Sequence, residues 1–338
     1  MKAIFAALFC SSFLFFADAA WAMHISEGIL PFRWAATWFL IAAPFIAYGL
    51  YSLKKRSDED ISFKPLVGLM AAVVFIISCM PIPVPLAGTC SHPCGTGISG
   101  ILVGPAISVV ITTVALLIQA LLLAHGGLST LGADIVSMGV MGSLAGYLTF
   151  RVLRCMRVNM AVAGFMAGLF ADWATYLTTS VELASGIKGD AAFLPLFWKI
   201  LIAFIPTQLP LGILEGAITA GMVVLLFKKR PDLLVKMRVI KPEEVMPKNI
   251  VKALIISFFM AGTVLLAALP AHAEKWTGVD EAVVEKVAKE HGREAREPLI
   301  NMEGDIGLFL FLIAGAAGGF AGGYYFRSLV DQKKNNHE

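Results

Sequence analysis

The sequence predicts an all-α polytopic membrane protein: a helical bundle of six to seven spans, a two-span C-terminal appendage and a signal peptide in front. Three observations predict it. The 338 residues are 58% hydrophobic and 15% charged, whereas a soluble domain is about half apolar and a quarter charged. Mean hydropathy is +0.78. The apolar residues come in runs of about 20, the length at which a helix crosses about 30 Å of hydrocarbon. The alternating segments of about ten residues that a barrel requires are absent.

Residues 1–22 read as a secretory signal: Lys2, the apolar centre "AIFAALFCSSFLFF" and the small-x-small end Ala20-Trp21-Ala22. An uncleaved anchor is the alternative. Both put Met23 outside the cytoplasm, but only cleavage gives it a free α-amine. From that start, a span at about 34–53 runs to Lys54, Lys55 and Arg56, a basic cluster of the cytoplasmic kind. A second, at about 65–81, returns to "PIPVPLAGTCSHPCGTG" (81–97), where prolines and glycines predict a loop. The stretch 98–124 contains Gly104-Pro105, so it dips in as a short helix and returns as a longer one.

After an outer loop at 124–134, spans are expected at about 134–151 and 159–181, separated by the basic turn "RVLRCMR" (151–157). Another outer loop (182–192) leads to span 193–227 and then to "KKRPDLLVKMR" (228–238). Each expected cytoplasmic turn is rich in Lys and Arg, and the loops 81–97 and 124–134 have neither. The mature N-terminus is thus extracytoplasmic and the C-terminus cytoplasmic, in the cell inner (plasma) membrane.

The division expected is a core at 23–227, a basic linker at 228–248 and an appendage at 249–338. The appendage has spans at about 249–269 and 305–327, joined by the outer, partly helical segment 272–304. "AALPAHAEK" (267–275) offers a second small-x-small site, with an Ala-rich helix end as the alternative reading.

No GxxxxGK[ST], HExxH, GxSxG or kinase signature occurs, so any ATP is hydrolysed by another chain. The net charge of +3 gives no reason to expect nucleic acid as a partner. What remains is a set of outer histidines: His24, His92 and His125, with His272 and His291 in the appendage.

A histidine in second place can chelate through the α-amine of Met23, its own deprotonated amide nitrogen and an imidazole nitrogen. Planar nitrogen donors suit Ni(II), Cu(II) or Co(II) better than tetrahedral Zn(II). His92 is available as the next donor. Cys90 and Cys94 flank it, either as a disulfide, which an oxidising compartment favours, or as thiols. His125, beside Gly126-Gly127, is expected to pack the loop or stand behind the ligands. Glu27, three residues after His24, is expected to accept an imidazole N–H. Asp134, Asp172, Glu182 and Glu215 lie in or near apolar spans, where ionisable groups are costly and often functional.

The segments "MHISEGILP" (23–31), "AGTCSHPCGTG" (87–97), "LVGP" (102–105), "QALLLAHGGLSTLGAD" (119–134), "ADWATYLTTSV" (171–181) and "TQLPLGILEG" (207–216) resemble the CbiM/NikM family. These are the substrate-binding membrane components of energy-coupling-factor importers for cobalt and nickel. The resemblance runs in order over 23–227, and "CSHP" and "AHGGL" look closer to the cobalt branch. The appendage is similar to CbiN in topology.

The resemblance implies a six-helix core with an extra amino-terminal helix, and metal held by Met23, His24 and His92. It implies Co(II) or Ni(II) as cargo with no resident cofactor, in a transport component rather than an enzyme. The expected partners are a CbiQ-like coupling subunit, CbiO-like ATPases and a separate CbiN-like protein, and the expected destination of the metal is cobalamin biosynthesis. Asp134 and Ser137 depart from the asparagines of the family's "GANxxxM"-like segment, which bears on the surroundings of the site.

Overall fold

The computed structural model describes residues 24–80, 82–84, 89–123, 125–242, 277–278, 284–294 and 324. The expected signal peptide, Met23 and, apart from residue 324, both expected appendage spans lie outside the described residues. The rest is mainly helical: α1 (Phe32–Glu59), α2 (Phe63–Ser78), α3 (Thr96–Val103), α4 (Pro105–Leu122), α5 (Leu131–Cys155), α6 (Met160–Ile187), α7 (Phe193–Lys229), α8 (Pro231–Lys236) and α9 (Lys286–Glu290). Five of these (α1, α4, α5, α6 and α7) are long and apolar enough to cross a membrane, and α2 is a shorter apolar helix.

The expected break at Gly104-Pro105 is where α3 ends and α4 begins, with Gly104 at φ +91°. A helix broken at membrane depth frees backbone carbonyls that must find partners within the protein. Arg56, in the last turn of α1, donates to the Val103 carbonyl at 3.1 Å and to that of Met237 at 3.4 Å, and its guanidinium lies over the Phe63 ring. One cation thus fastens α1, the break and the segment after α8 at the basic end of the bundle.

Several boundaries differ from those expected. The turn placed at 151–157 is shorter, because Arg151 and Arg154 belong to α5 and the chain turns at Arg157, at φ +62°. The loop placed at 182–192 begins only after Ile187. In both cases backbone hydrogen bonding carries the helix past the end of its apolar run. The loop at 81–97 contains a small ladder: β1 (Ile82–Val84) pairs antiparallel with β2 (Thr89–Ser91), which pairs parallel with β3 (Thr277–Gly278) from the appendage.

The centre of the bundle is the α6–α7 pair. Apolar tails in lipid give helices little reason to associate, so close approach depends on small residues. Gly164 and Gly168 of α6 meet Ala220 and Gly216 of α7; a Cβ on Gly168 would lie 2.6 Å from Thr219 Oγ1 and 2.7 Å from the Glu215 carbonyl oxygen. α1 is peripheral and leaves Leu40, Phe45 and Tyr48 exposed. Gly168→Val should cost about 1–3 kcal/mol by overpacking. It is expected to lower the melting temperature of the detergent-purified chain, while Leu177→Val on the exposed face leaves it unchanged.

Candidate metal centre

At the end opposite Arg56, residues 24–30 do not run along the surface but enter the bundle. Ile25, Ile29 and Leu30 are buried with Tyr176, Leu183 and Phe204. The Ile25 carbonyl accepts from Gly127 N–H and from the Thr130 hydroxyl, and its N–H donates to Asp134 Oδ1 at 3.4 Å. This is why "HGG" follows α4. Gly126 has φ +83°, and a Cβ there would sit 2.8 Å from that of His24. A Cβ on Gly127 would overlap the Glu27 backbone at 2.7 Å.

That insertion brings His24 against His92, from the loop after β2, and His125, from the α4–α5 loop. Ring centroids are 4.8, 4.9 and 5.3 Å apart, and one nitrogen from each ring lies within 4.8 Å of the others. All three are buried. His125 is therefore as close to the cluster as His92, nearer than a loop-packing role required. A cavity of ≈ 20 Å³ adjoins them, lined by Asp134, Ser137, Cys94 and Thr175 among others, large enough for a water-sized occupant.

The hydrogen bonds fix which nitrogens face inward. Ser78 Oγ spends its proton on the Phe75 carbonyl, so it accepts from Gln119 Nε2 at 2.7 Å. Gln119 must then turn its oxygen to His24 Nε2, 2.9 Å away. An amide oxygen only accepts, so His24 carries its proton on Nε2 and Nδ1 keeps a lone pair. Nδ1 is also the nitrogen that closes a six-atom chelate ring with the residue's own amide.

His92 Nδ1 donates to the Pro93 carbonyl at 3.2 Å, which leaves Nε2 as an acceptor without a protein partner; His125 Nε2 is likewise buried and unpaired. Such a group costs about 1–3 kcal/mol, and a cation would relieve both.

Gln119 was not singled out from the sequence, although a lone amide within the apolar run of α4 is a readable signal. Glu27 does not accept from His24, as the spacing suggested. It accepts the Ser129 N–H at 3.0 Å and so orders the facing loop. Ser137 lines the cavity while its hydroxyl donates to Ala133 O. Of the two states open for Cys94, disulfide or thiol, the structure has the second: Cys94 is a buried free thiol beside Asp172 and Glu215. Glu215 accepts the N–H groups of Cys94 and Gly95.

The appendage reaches this end as well. Arg293 donates to the carbonyls of Gly28 and Ile29, Ser26 Oγ donates to Glu285, Lys199 pairs with Glu290, and β3 extends the strand that leads to His92.

Membrane-length helices with a buried cluster of histidines at one end define a multi-pass membrane protein whose side chains could hold a metal ion. Residues 24–233 match the family model described as the cobalt uptake substrate-specific transmembrane region. The chain belongs to this CbiM family. It is 64% identical to the cobalt transport protein CbiM of Geobacter sulfurreducens, over 94% of this chain and 93% of that one. It is 53% identical to the CbiM of Sorangium cellulosum, over 65% of this chain and 97% of that one. A crystal structure of a truncated transition metal transporter aligns with a TM-score of 0.53 at 25% identity, covering 60% of this chain and 97% of its own. The relatives are named as transport proteins, and the chain is a transport component rather than an enzyme.

Two predictions follow from the hydrogen bonds and burial. Gln119→Leu keeps size but removes the acceptor, so it should weaken Co(II) binding by about 10–100-fold, read by isothermal titration. Burial and the neighbouring imidazoles His92 and His125 hold His24 well below 6.5. Burial lowers His92 to about 4, and burial with His92 lowers His125 to about 3. Because the folded values lie below the unfolded ones, the unfolded chain takes up more protons in this window. Their stabilising contribution is complete above about 6.5 and is lost as pH falls toward about 4. The melting temperature of metal-free protein should drop across that window, and His92→Asn should flatten the drop.

Proposed function

We propose that the chain captures Co(II) outside the cytoplasm, as the substrate-binding component of an ATP-driven energy-coupling-factor importer in the inner membrane. Cobalt follows from family membership. The observation that carries the capture site is the trio of buried imidazoles with one nitrogen from each within 4.8 Å of the others.

In this reading residues 1–22 are removed and Met23 becomes the first residue. Its α-amine, the His24 amide nitrogen and His24 Nδ1 take three places around the ion, and His92 Nε2 takes the fourth. His125 borders the ion. Asp134 holds the segment in register through the Ile25 N–H. Ser137 and Glu27 act on the surroundings, one at the cavity wall and the other by ordering residues 126–130.

The amide nitrogen loses its proton when the ion binds, so capture weakens as pH falls, although the imidazoles themselves remain neutral. No P-loop occurs in the sequence, which supports separate CbiO-like ATPases acting through a CbiQ-like membrane subunit. Their motion would reorient the core at 23–227 and release the ion inward for cobalamin biosynthesis. The appendage at 249–338 serves as a built-in CbiN-like companion, so a separate one is not required. Planar nitrogen donors suit Ni(II) as well, which makes nickel the second reading.

One added residue tests the chelate. Inserting Ala between Ala22 and Met23, with cleavage preserved, moves the α-amine out of ring-forming reach. Cellular 57Co accumulation should fall by about 10-fold or more, the scale at which metal affinity responds to disturbed ligation. Unchanged accumulation with the extended terminus confirmed by mass spectrometry would sink the amino-terminal chelate.

A further inference from the structure

Below the histidines lies a second group of donors that the capture site does not use. Cys94, Asp172 and Glu215 are buried, and one donor atom from each lies within 4.8 Å of the others. Glu215 is pinned by the N–H groups of Cys94 and Gly95, at 2.7 and 3.0 Å. Asp172 is fully buried, and neither of its carboxylate oxygens has a protein partner.

Two carboxylates packed together within a bundle that spans lipid repel each other and are costly. Nothing cationic among the described residues offsets them here. A divalent ion would offset both charges and supply the partner that Asp172 lacks.

The location matters as much as the chemistry. Cys94 and Thr175 line the same small cavity as His24 and His92. On α6, Thr179, Thr175 and Asp172 descend about one turn at a time, from the histidine end toward the basic end. On α7, Glu215 stands about two turns below Gln208. Two further buried hydroxyls lack partners, Thr96 Oγ1 and Thr219 Oγ1: a Cβ on Gly142 would meet the first, and one on Gly168 the second.

We propose that Cys94, Asp172 and Glu215 form a second cation site, which receives the transported divalent ion from the histidines on its way inward. It rests on the capture reading for its supply of metal. Cys94 releases its thiol proton to water, one proton per ion bound, as the S–H bond gives way to a sulfur–metal bond, and the carboxylates complete an oxygen and sulfur set. Such donors hold Co(II) without the planar nitrogen frame, which favours a second site weaker than the first.

The test is a Co(II) titration of the full chain, purified in detergent and followed by absorption. The first equivalent should fill the histidine site with no thiolate signature. Further Co(II) should bring up a cobalt–thiolate charge-transfer band that is lost in Cys94→Ser and kept in Cys79→Ser and Cys155→Ser. Asp172→Asn should weaken this second step by about tenfold while changing the first by no more than about twofold. In cells it should cut 57Co accumulation by a similar factor. The retained first equivalent shows that each variant is folded. A wild-type chain that takes one Co(II) with no Cys94-dependent band would overturn the proposal. His92→Ala separately tests the capture reading, since it removes the first step and leaves the band.

Discussion

The metal centre depends on one packing event, the insertion of residues 24–30 into the outer end of the bundle. Ile25, Ile29 and Leu30 supply the apolar burial, and the Ile25 carbonyl and N–H are tied to Thr130, Gly127 and Asp134. Without that seat, His24 would sit on a fraying terminus, where ordering it costs about 1–2 kcal/mol per residue. With it, a flexible end becomes a rigid ligand. The loops that carry His92 and His125 are then shaped around a fixed object, which explains a left-handed glycine at 126 and close backbone contact at 127.

The segment is fastened from both sides. On the core side the bonds come from the α4–α5 loop and from α5. On the other side Arg293 takes the carbonyls of Gly28 and Ile29, and β3 continues the ladder that ends at Ser91, just before His92. Any loosening of either tether moves a histidine, so the outer segment of the appendage and the metal site are mechanically one unit. The match to the Geobacter sulfurreducens relative covers 94% of this chain, so it extends well beyond the core into the appendage.

Much of this was legible in the sequence because lipid makes the rules strict. Run length gave the helices, and Gly104-Pro105 gave the break. The sequence also picked out His24 and His92, which the fold brings together with ring centroids 4.8 Å apart. Helix ends were less legible, because backbone hydrogen bonding carries α5 and α6 past their apolar runs. Spacing left Cys90 and Cys94 open between disulfide and thiols, and the fold makes Cys94 a buried free thiol. Glu27 was matched to His24 by local distance along the chain. The true acceptor, Gln119, is 95 positions away and joins the site only through the fold. The closeness of His125 to His24, with ring centroids 4.9 Å apart, is likewise a property of packing.

The replacement of a nearby carboxylate by a distant amide is chemically meaningful. Both accept the His24 Nε2 proton and free Nδ1. A carboxylate would also stabilise imidazolium and add negative charge beside the ion, deepening the well that a carrier must later empty. Gln119 fixes the tautomer and leaves the charge unchanged. Glu27, with its oxygen on the Ser129 N–H, keeps its charge engaged one residue layer away. If the proposed chelate holds, such a site would bind the cation by neutral nitrogen donors and one ionised amide, and would loosen once the amide regained its proton.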